Sequence, residues 1–235
     1  MKMKEIAVAL VLALSASMAG ADQQSDLTKM LKEKYPATAF TSVGKAPLNG
    51  LYEVAMGKNI AYTDASGRYF IFGHIYDMVT QEDLTAAKLQ SINKIDWSRL
   101  NLANAIKVVK GNGSREFAVF SDPDCPYCQK LEKELGALDN YTMHLFLFPI
   151  AGLHPSAPDK AQSIWCAKDR YAAWKDVTLS GKVPAKKECA NPIDENIKVA
   201  GDMGIQGTPT MIRKDGVIMP GAAPAARVDE WLNGK

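Results

Sequence analysis

Phe117-Ala118-Val119-Phe120-Ser121-Asp122-Pro123-Asp124-Cys125-Pro126-Tyr127-Cys128-Gln129-Lys130 is the stretch whose reading decides the fold. Four consecutive apolar residues follow Glu116 and precede an Asp/Pro cluster, which suits a short strand buried on both faces. Cys128, Leu131, Leu135 and Leu138 then recur at helical spacing. The two cysteines therefore straddle a helix start. Cys125 falls at or just before the helix N-terminus, where unpaired backbone N–H groups and the positive dipole end favour a thiolate over a thiol. Pro126 fits the first helical position, where its missing N–H costs nothing. Cys128, three residues on, can close a small disulfide ring and displace a bound partner. Cys125 is thus the candidate nucleophile and Cys128 the candidate resolving thiol. Cys-x-x-Cys is also metal-ligand spacing, but no second such pair and no His-x-x-x-His follows, so no metal is expected.

Phe-Ser-Asp-Pro-Asp-Cys-Pro-Tyr-Cys followed by a charged helix resembles the catalytic domain of the periplasmic DsbC/DsbG disulfide isomerases. The Pro126-Tyr127 pair resembles DsbG and glutaredoxins, whereas the best-known DsbC proteins carry Gly-Tyr. Thioredoxins hold a buried acid six residues before the first cysteine. That position here is Val119, so their proton acceptor is absent.

The chain has 235 residues, 47% hydrophobic and 23% charged, a composition of soluble globular proteins of one or two domains. Met1-Lys2-Met3-Lys4, the short apolar run Ile6 to Leu14 and Ala19-Gly20-Ala21 form a secretory signal peptide over residues 1–21. Cleavage is expected after Ala21, with Ala19 the second choice, and no later apolar run is long enough for membrane insertion. The 28 basic and 26 acidic residues, less the two lysines and one glutamate of the signal, leave a net charge of +1, which does not suggest nucleic-acid binding. The mature protein is expected in the periplasm or secreted.

An oxidising compartment changes the reading of the other cysteines. With Cys125 and Cys128 forming the short ring, Cys166 and Cys189 are the natural second bridge. Closing a loop of that size contributes about 3 kcal/mol by constraining the unfolded chain. DsbC proteins are similar in carrying a second, structural disulfide at nearly this spacing, and DsbG lacks it, so the pair tilts the resemblance toward DsbC.

After the signal, Leu27, Met30 and Leu31 mark one face of a helix from about Ser25 to Lys34 that ends before Pro36. Phe40–Val43, Leu51–Met56, Ile60–Asp64 and Tyr69–Gly73 alternate between turn residues and predict an antiparallel meander. This small region (22–80) buries too little surface to be comfortable alone, and exposed strand edges offer pairing with a second copy. A homodimer is expected, as the resemblance also implies. Residues 81–98 read as a connecting helix, with Leu84, Ala87, Leu89, Ile92 and Ile95 loosely spaced. The catalytic domain then takes 99–235.

Within it, Asn104–Val109 and His144–Phe148 read as further strands, the latter beside the first, and Gly111–Ser114 as an ordinary turn rather than a phosphate loop. Ala151 to about Ile193 reads as a helical insertion, in which Trp165 and Trp174 are expected in the core and Lys182, Lys186 and Lys187 on a solvated face. Met211–Arg213 and Val217–Met219 predict a hairpin, and a closing helix begins near Pro224. His74, His144 and His154 share no ligand spacing and are assigned no catalytic role. In proteins that resemble this one, a cis proline preceded by Thr faces the redox cysteines, and the backbone of that Thr pairs with an extended substrate in the mixed disulfide. Thr208 and Pro209 match those positions, and Pro126 and Tyr127 are the other expected substrate contacts.

The expected architecture is an α+β dimerisation domain joined by a helical linker to a thioredoxin-like α/β domain with a helical insertion. The expected function is periplasmic thiol-disulfide isomerase and reductase chemistry on misfolded disulfide-containing proteins, with no cofactor. The resemblance implies a DsbD-type membrane reductase that restores the dithiol. The rival readings are a DsbG-like reductase of sulfenylated single cysteines and a redox-inert chaperone.

Overall fold

The computed structural model describes residues 23–234, so the signal-peptide reading of residues 1–21 lies outside the described residues. The chain divides into two compact units between Asn93 and Lys94.

In the first unit, helix α1 (residues 23–34) is followed by β1 (Phe40–Lys45), β2 (Tyr52–Met56), β3 (Asn59–Thr63) and β4 (Phe70–Ile71). The four strands form the antiparallel meander that the alternating pattern predicts, in the order β1-β2-β3-β4. The period-2 alternation of β2 sorts its side chains. Tyr52 and Val54 join Leu27 and Leu31 of α1 on one face, whereas Ala55 joins Ile60 and Tyr62 on the other. Gly67, between β3 and β4, has φ +57°, a left-handed backbone that glycine adopts without strain. A Cβ there would also come within 2.7 Å of Leu31 Cδ2.

The hairpin β5 (Tyr76–Asp77) and β6 (Glu82–Asp83) leads into α2 (Leu84–Ile92). Helix α2 is shorter than the connecting helix read over 81–98. The Asp83 carboxylate caps its first turn by accepting from the Ala86 N–H at 2.9 Å. Asn93 ends it, its side-chain amide donating to the carbonyls of Leu89 and Lys58. Leu89 and Ile92 pack on the Ala55, Ile60 and Tyr62 face, so tertiary packing holds α2 against the sheet. Beyond it, Asp96 starts a separate short turn, Trp97–Arg99.

The second unit is built on a five-stranded sheet. Its strands are β7 (Ile106–Lys110), β8 (Arg115–Ser121), β9 (Tyr141–Leu147), β10 (Thr210–Arg213) and β11 (Ile218–Pro220), ordered β11-β10-β8-β9-β7. Only β8 and β9 pair in parallel. Helix α3 (Pro126–Gly136) connects them, as a parallel pair requires a crossover. The central β8 is buried on both faces, as its unbroken apolar run predicts. Phe117 and Val119 point into one cluster with Leu131 and Leu135 of α3, and Ala118 and Phe120 into another with Phe146 and Phe148.

Helices α4 (Ala157–Trp165) and α5 (Arg170–Ser180) form the insertion after β9, followed by α6 (Ile193–Asp202), the β10–β11 hairpin and α7 (Ala225–Leu232). Trp165 and Trp174 are both core residues, and Lys182, Lys186 and Lys187 are exposed. Glu132 of α3 is buried and accepts hydrogen bonds from the Tyr171 hydroxyl at 2.6 Å and the Trp174 indole at 2.9 Å, which joins α3 to α5. Cys166 at the end of α4 is bonded to Cys189, 23 residues on. The bridge ties the insertion to a segment without regular structure. Among the described residues no helix is long and apolar enough to cross a membrane.

Candidate active site

The turn between β8 and α3 puts Cys125 in extended conformation at the N-cap of α3, with Pro126 in the first turn. The main-chain carbonyl of Cys125 accepts from the N–H groups of Cys128 and Gln129, so the helix begins on the cysteine itself. Both cysteines are free and their residues buried, whereas Pro126 and Tyr127 between them are exposed, Tyr127 by 65%. The dipeptide forms the outer lip and the sulfurs lie beneath it.

Thr208 and Pro209 come from the other side of the sheet centre. Thr210 pairs with Phe120, which brings the residues before β10 level with the end of β8 and hence with the cysteines. The Thr208–Pro209 peptide is cis. The Cys125 thiol lies 3.4 Å from the Thr208 carbonyl oxygen. Thr208 is half-buried and Pro209 buried, and the contact of Thr208 with Cys125 brings the two motifs together.

The two thiols differ in acidity. Cys125 is lowered to about 5, first because the Cys128 thiol hydrogen-bonds to it, an effect opposed by burial and reinforced by Thr208 and by the main-chain N–H groups of Cys128 and Tyr127. Cys128 is pushed up, chiefly by burial and then by the neighbouring Cys125. At neutral pH the pair therefore holds a thiolate on Cys125 and a protonated thiol on Cys128. A thiolate can attack a disulfide sulfur, and the second thiol can then attack the mixed disulfide once it loses its proton.

The sequence reading missed Asp122 and assigned His154 no catalytic role. Asp122 is fully buried three residues before Cys125. Its carboxylate accepts from the N–H groups of Asp124 at 2.8 Å and Ile150 at 2.7 Å, and pairs with His154 Nδ1 at 3.0 Å. Its main-chain N–H donates to Cys128 Sγ at 3.4 Å. Asp124 in turn accepts from Ser156 at 2.8 Å and from Lys160. In sequence the only signal was the Asp/Pro cluster, which reads equally well as a turn. The position of the missing thioredoxin acid, Val119, is part of the apolar core. Among the described residues no cluster of three or more His, Cys, Asp or Glu side chains is placed to hold a metal ion.

A strand-turn-helix dithiol with this asymmetry, on a sheet of this topology, defines the class of thioredoxin-like thiol-disulfide oxidoreductases. The Thioredoxin-like domain family model matches residues 102–234, and the Disulfide bond isomerase protein N-terminal domain model matches residues 18–86. A Bordetella pertussis protein named "Probable thiol:disulfide interchange protein DsbC" is 35% identical over 212 residues, which cover 90% of this chain and 75% of the relative. The Escherichia coli thiol:disulfide interchange protein DsbC is 28% identical over 197 residues, 82% of this chain and 81% of that one. Among solved structures, a disulfide interchange protein from Neisseria gonorrhoeae aligns with a TM-score of 0.56 at 42% identity, covering 57% of this chain and 97% of that one. The chain belongs to the DsbC family of thiol:disulfide interchange proteins.

Proposed function

We propose that Cys125 is the nucleophile and Cys128 the resolving thiol of a periplasmic isomerase that rearranges wrong disulfides in secreted proteins. The observation that carries this reading is a buried pair of thiols at the N-cap of α3, Cys125 in contact with the Thr208 carbonyl and Cys128 one turn on, with their acidities shifted in opposite directions. The Cys125 thiolate attacks a substrate disulfide, forming a mixed disulfide and releasing one substrate thiolate. That thiolate attacks another substrate disulfide, and the thiolate freed there attacks the mixed disulfide and releases Cys125, which shuffles; or Cys128 attacks Cys125 and expels the second substrate thiolate, which reduces the substrate and oxidises the enzyme. Thr208, Pro209, Pro126 and Tyr127 line the surface on which an extended substrate is held, and Cys166–Cys189 is a structural bridge. A DsbD-type membrane reductase returns the pair to the dithiol. Signal cleavage after Ala21 delivers the chain to the periplasm.

The functional unit is a homodimer formed through the first unit. Supporting this, Tyr69, Ile71, Phe72, Tyr76, Met78 and Val79 are all more than half exposed, and β4 is an edge strand of its sheet. Such a patch on an unpaired edge fits a second copy of the same strand.

Refolding of a scrambled multi-disulfide protein in glutathione buffer tests both parts. Recovery of native substrate by the intact protein, and its loss in Cys125→Ser and in the edge variant Phe72→Glu, is the expected result. Normal redox cycling without any recovery would instead favour a DsbG-like reductase of sulfenylated cysteines, which Pro126-Tyr127 resembles. Unaltered activity of Cys125→Ser in suppressing aggregation, with no disulfide exchange by the intact protein, would favour a chaperone.

A further inference from the structure

Asp122 uses all of its polar groups within or beside the redox turn. Its main-chain carbonyl accepts from the Cys125 N–H at 3.2 Å, and one carboxylate oxygen accepts from the Asp124 N–H at 2.8 Å. Asp122-Pro123-Asp124-Cys125 is therefore a turn closed twice. The other carboxylate oxygen accepts from the Ile150 N–H at 2.7 Å and pairs with His154 Nδ1 at 3.0 Å, which ties the turn to the loop after β9. The side chain is fully buried, so water does not compete for these bonds. Strand β8 has already ended at Ser121, and the Asp122 N–H lies beyond its ladder. With the residue fixed by four hydrogen bonds, that N–H donates to Cys128 Sγ at 3.4 Å.

We propose that Asp122 is a positioning residue of the resolving step: its buried carboxylate holds its own main-chain N–H on the Cys128 sulfur as that sulfur gains negative charge. The inference rests on Cys128 being the resolving thiol. In that step Cys128 gives its proton to solvent, and its sulfur attacks the Cys125 sulfur of the mixed disulfide. The Cys125–Cys128 bond forms, and the bond from Cys125 to substrate breaks with its electron pair on the substrate sulfur, which takes up a proton. The enzyme pair ends oxidised and the substrate reduced. An N–H donates weakly to a neutral thiol and strongly to a thiolate. A donor fixed in advance on Cys128 thus lowers the barrier to closure more than it stabilises the resting dithiol. It works against the burial that makes Cys128 a weak acid, as does a side-chain hydrogen bond from Ser121, buried on the same face of β8 as Val119.

The experiment times the two chemical steps separately, with oxidised glutathione as substrate, acid quenching and mass spectrometry of the reduced full-length protein. Formation of the glutathione adduct in a Cys128→Ser background reports attack by Cys125, and loss of the adduct when Cys128 is present reports closure. Asp122→Asn keeps the shape of the side chain but sets an NH2 group against the N–H of Asp124 or of Ile150, so the turn cannot keep its bonding. It should slow closure about 10-fold and attack by no more than about 2-fold. In a second measurement, Cys128→Ala removes the acceptor and leaves Asp122 in place. The Asp122 amide proton followed by NMR should then shift toward the position of an amide without a hydrogen bond. Closure within about 2-fold of the parent rate in folded Asp122→Asn protein overturns the inference. So does an equal loss in both steps, which a merely loosened turn would give, or an Asp122 amide proton unmoved by Cys128→Ala. If Asp122→Asn does not fold, the amide resonance decides alone. A glutathione adduct that forms on Cys125 and is never cleared by the unaltered protein would take the resolving role from Cys128, and the inference with it.

Discussion

Cys125 and Thr208, 83 residues apart in the chain, meet with the cysteine sulfur 3.4 Å from the threonine main-chain oxygen. That oxygen belongs to the backbone, and a side-chain hydrogen bond from Thr208 also helps to hold the Cys125 thiol low. The Thr208→Val variant should therefore raise the midpoint of Cys125 alkylation. In the unaltered protein that alkylation should be half-maximal near pH 5 and level by neutral pH, with Cys128 unmodified until the protein unfolds. Peptide mapping after timed alkylation checks this, and a midpoint near that of a free thiol would refute it.

The same acidity links stability to pH. The folded Cys125 thiol titrates at about 5, well below an unfolded thiol at 9.0, so it favours the folded dithiol form fully above the unfolded value. That contribution is lost as pH falls from about 9 toward about 5, and the disulfide form, which has no thiolate, lacks it. The melting temperature of the reduced protein relative to the oxidised one should therefore be higher at pH 8 than at pH 5. Parallel shifts of both forms across that range would count against it.

Glu132 joins α3 to α5 through two donors, Tyr171 and Trp174. Glu132→Ala leaves the buried Trp174 indole without an acceptor and opens a gap beneath it. The expected cost is about 2–3 kcal/mol. Denaturant melts followed by tryptophan fluorescence report it directly, because all four tryptophans, Trp97, Trp165, Trp174 and Trp231, lie in the second unit. A loss below the error of the extrapolation would show that the carboxylate is dispensable.

Gly67→Ala should destabilise the first unit alone. The new methyl would meet Leu31 Cδ2, and the left-handed backbone at φ +57° disfavours any side chain. Overpacking of this kind costs about 1–3 kcal/mol. Hydrogen exchange read by mass spectrometry should show faster exchange over β1 to β4 and no change in β8 or β9.

Much of the site was legible because its signals are local. The step from Phe117–Phe120 through Asp122-Pro123 to Cys125 changes hydrophobic period within a few residues, and Pro126 marks the helix start from its own geometry. The turn residues of the meander and of Lys214-Asp215-Gly216 act in the same way. The 81–98 segment misled because loose helical spacing cannot register that Asp83 and Asn93 cap the helix, nor that Leu89 and Ile92 pack on the Ile60 face. His154 was unreadable for a related reason: its partner lies 32 residues away.

What the sequence alone determined, then, is where each element begins and what chemistry it carries: a cysteine pair at a helix start, a Thr-Pro at the entry to a hairpin, and a family likeness borne by both. The tertiary structure decided which of these meet. The pairing of Thr210 with Phe120 sets Thr208 against Cys125, and burial of Asp122 under the Ile150–Ala157 loop brings His154 to the redox pair. The physical reason is range. Backbone conformation and capping are settled by neighbours within a turn or two, whereas thiol acidity depends on dipoles, charges and desolvation brought together from distant parts of the chain.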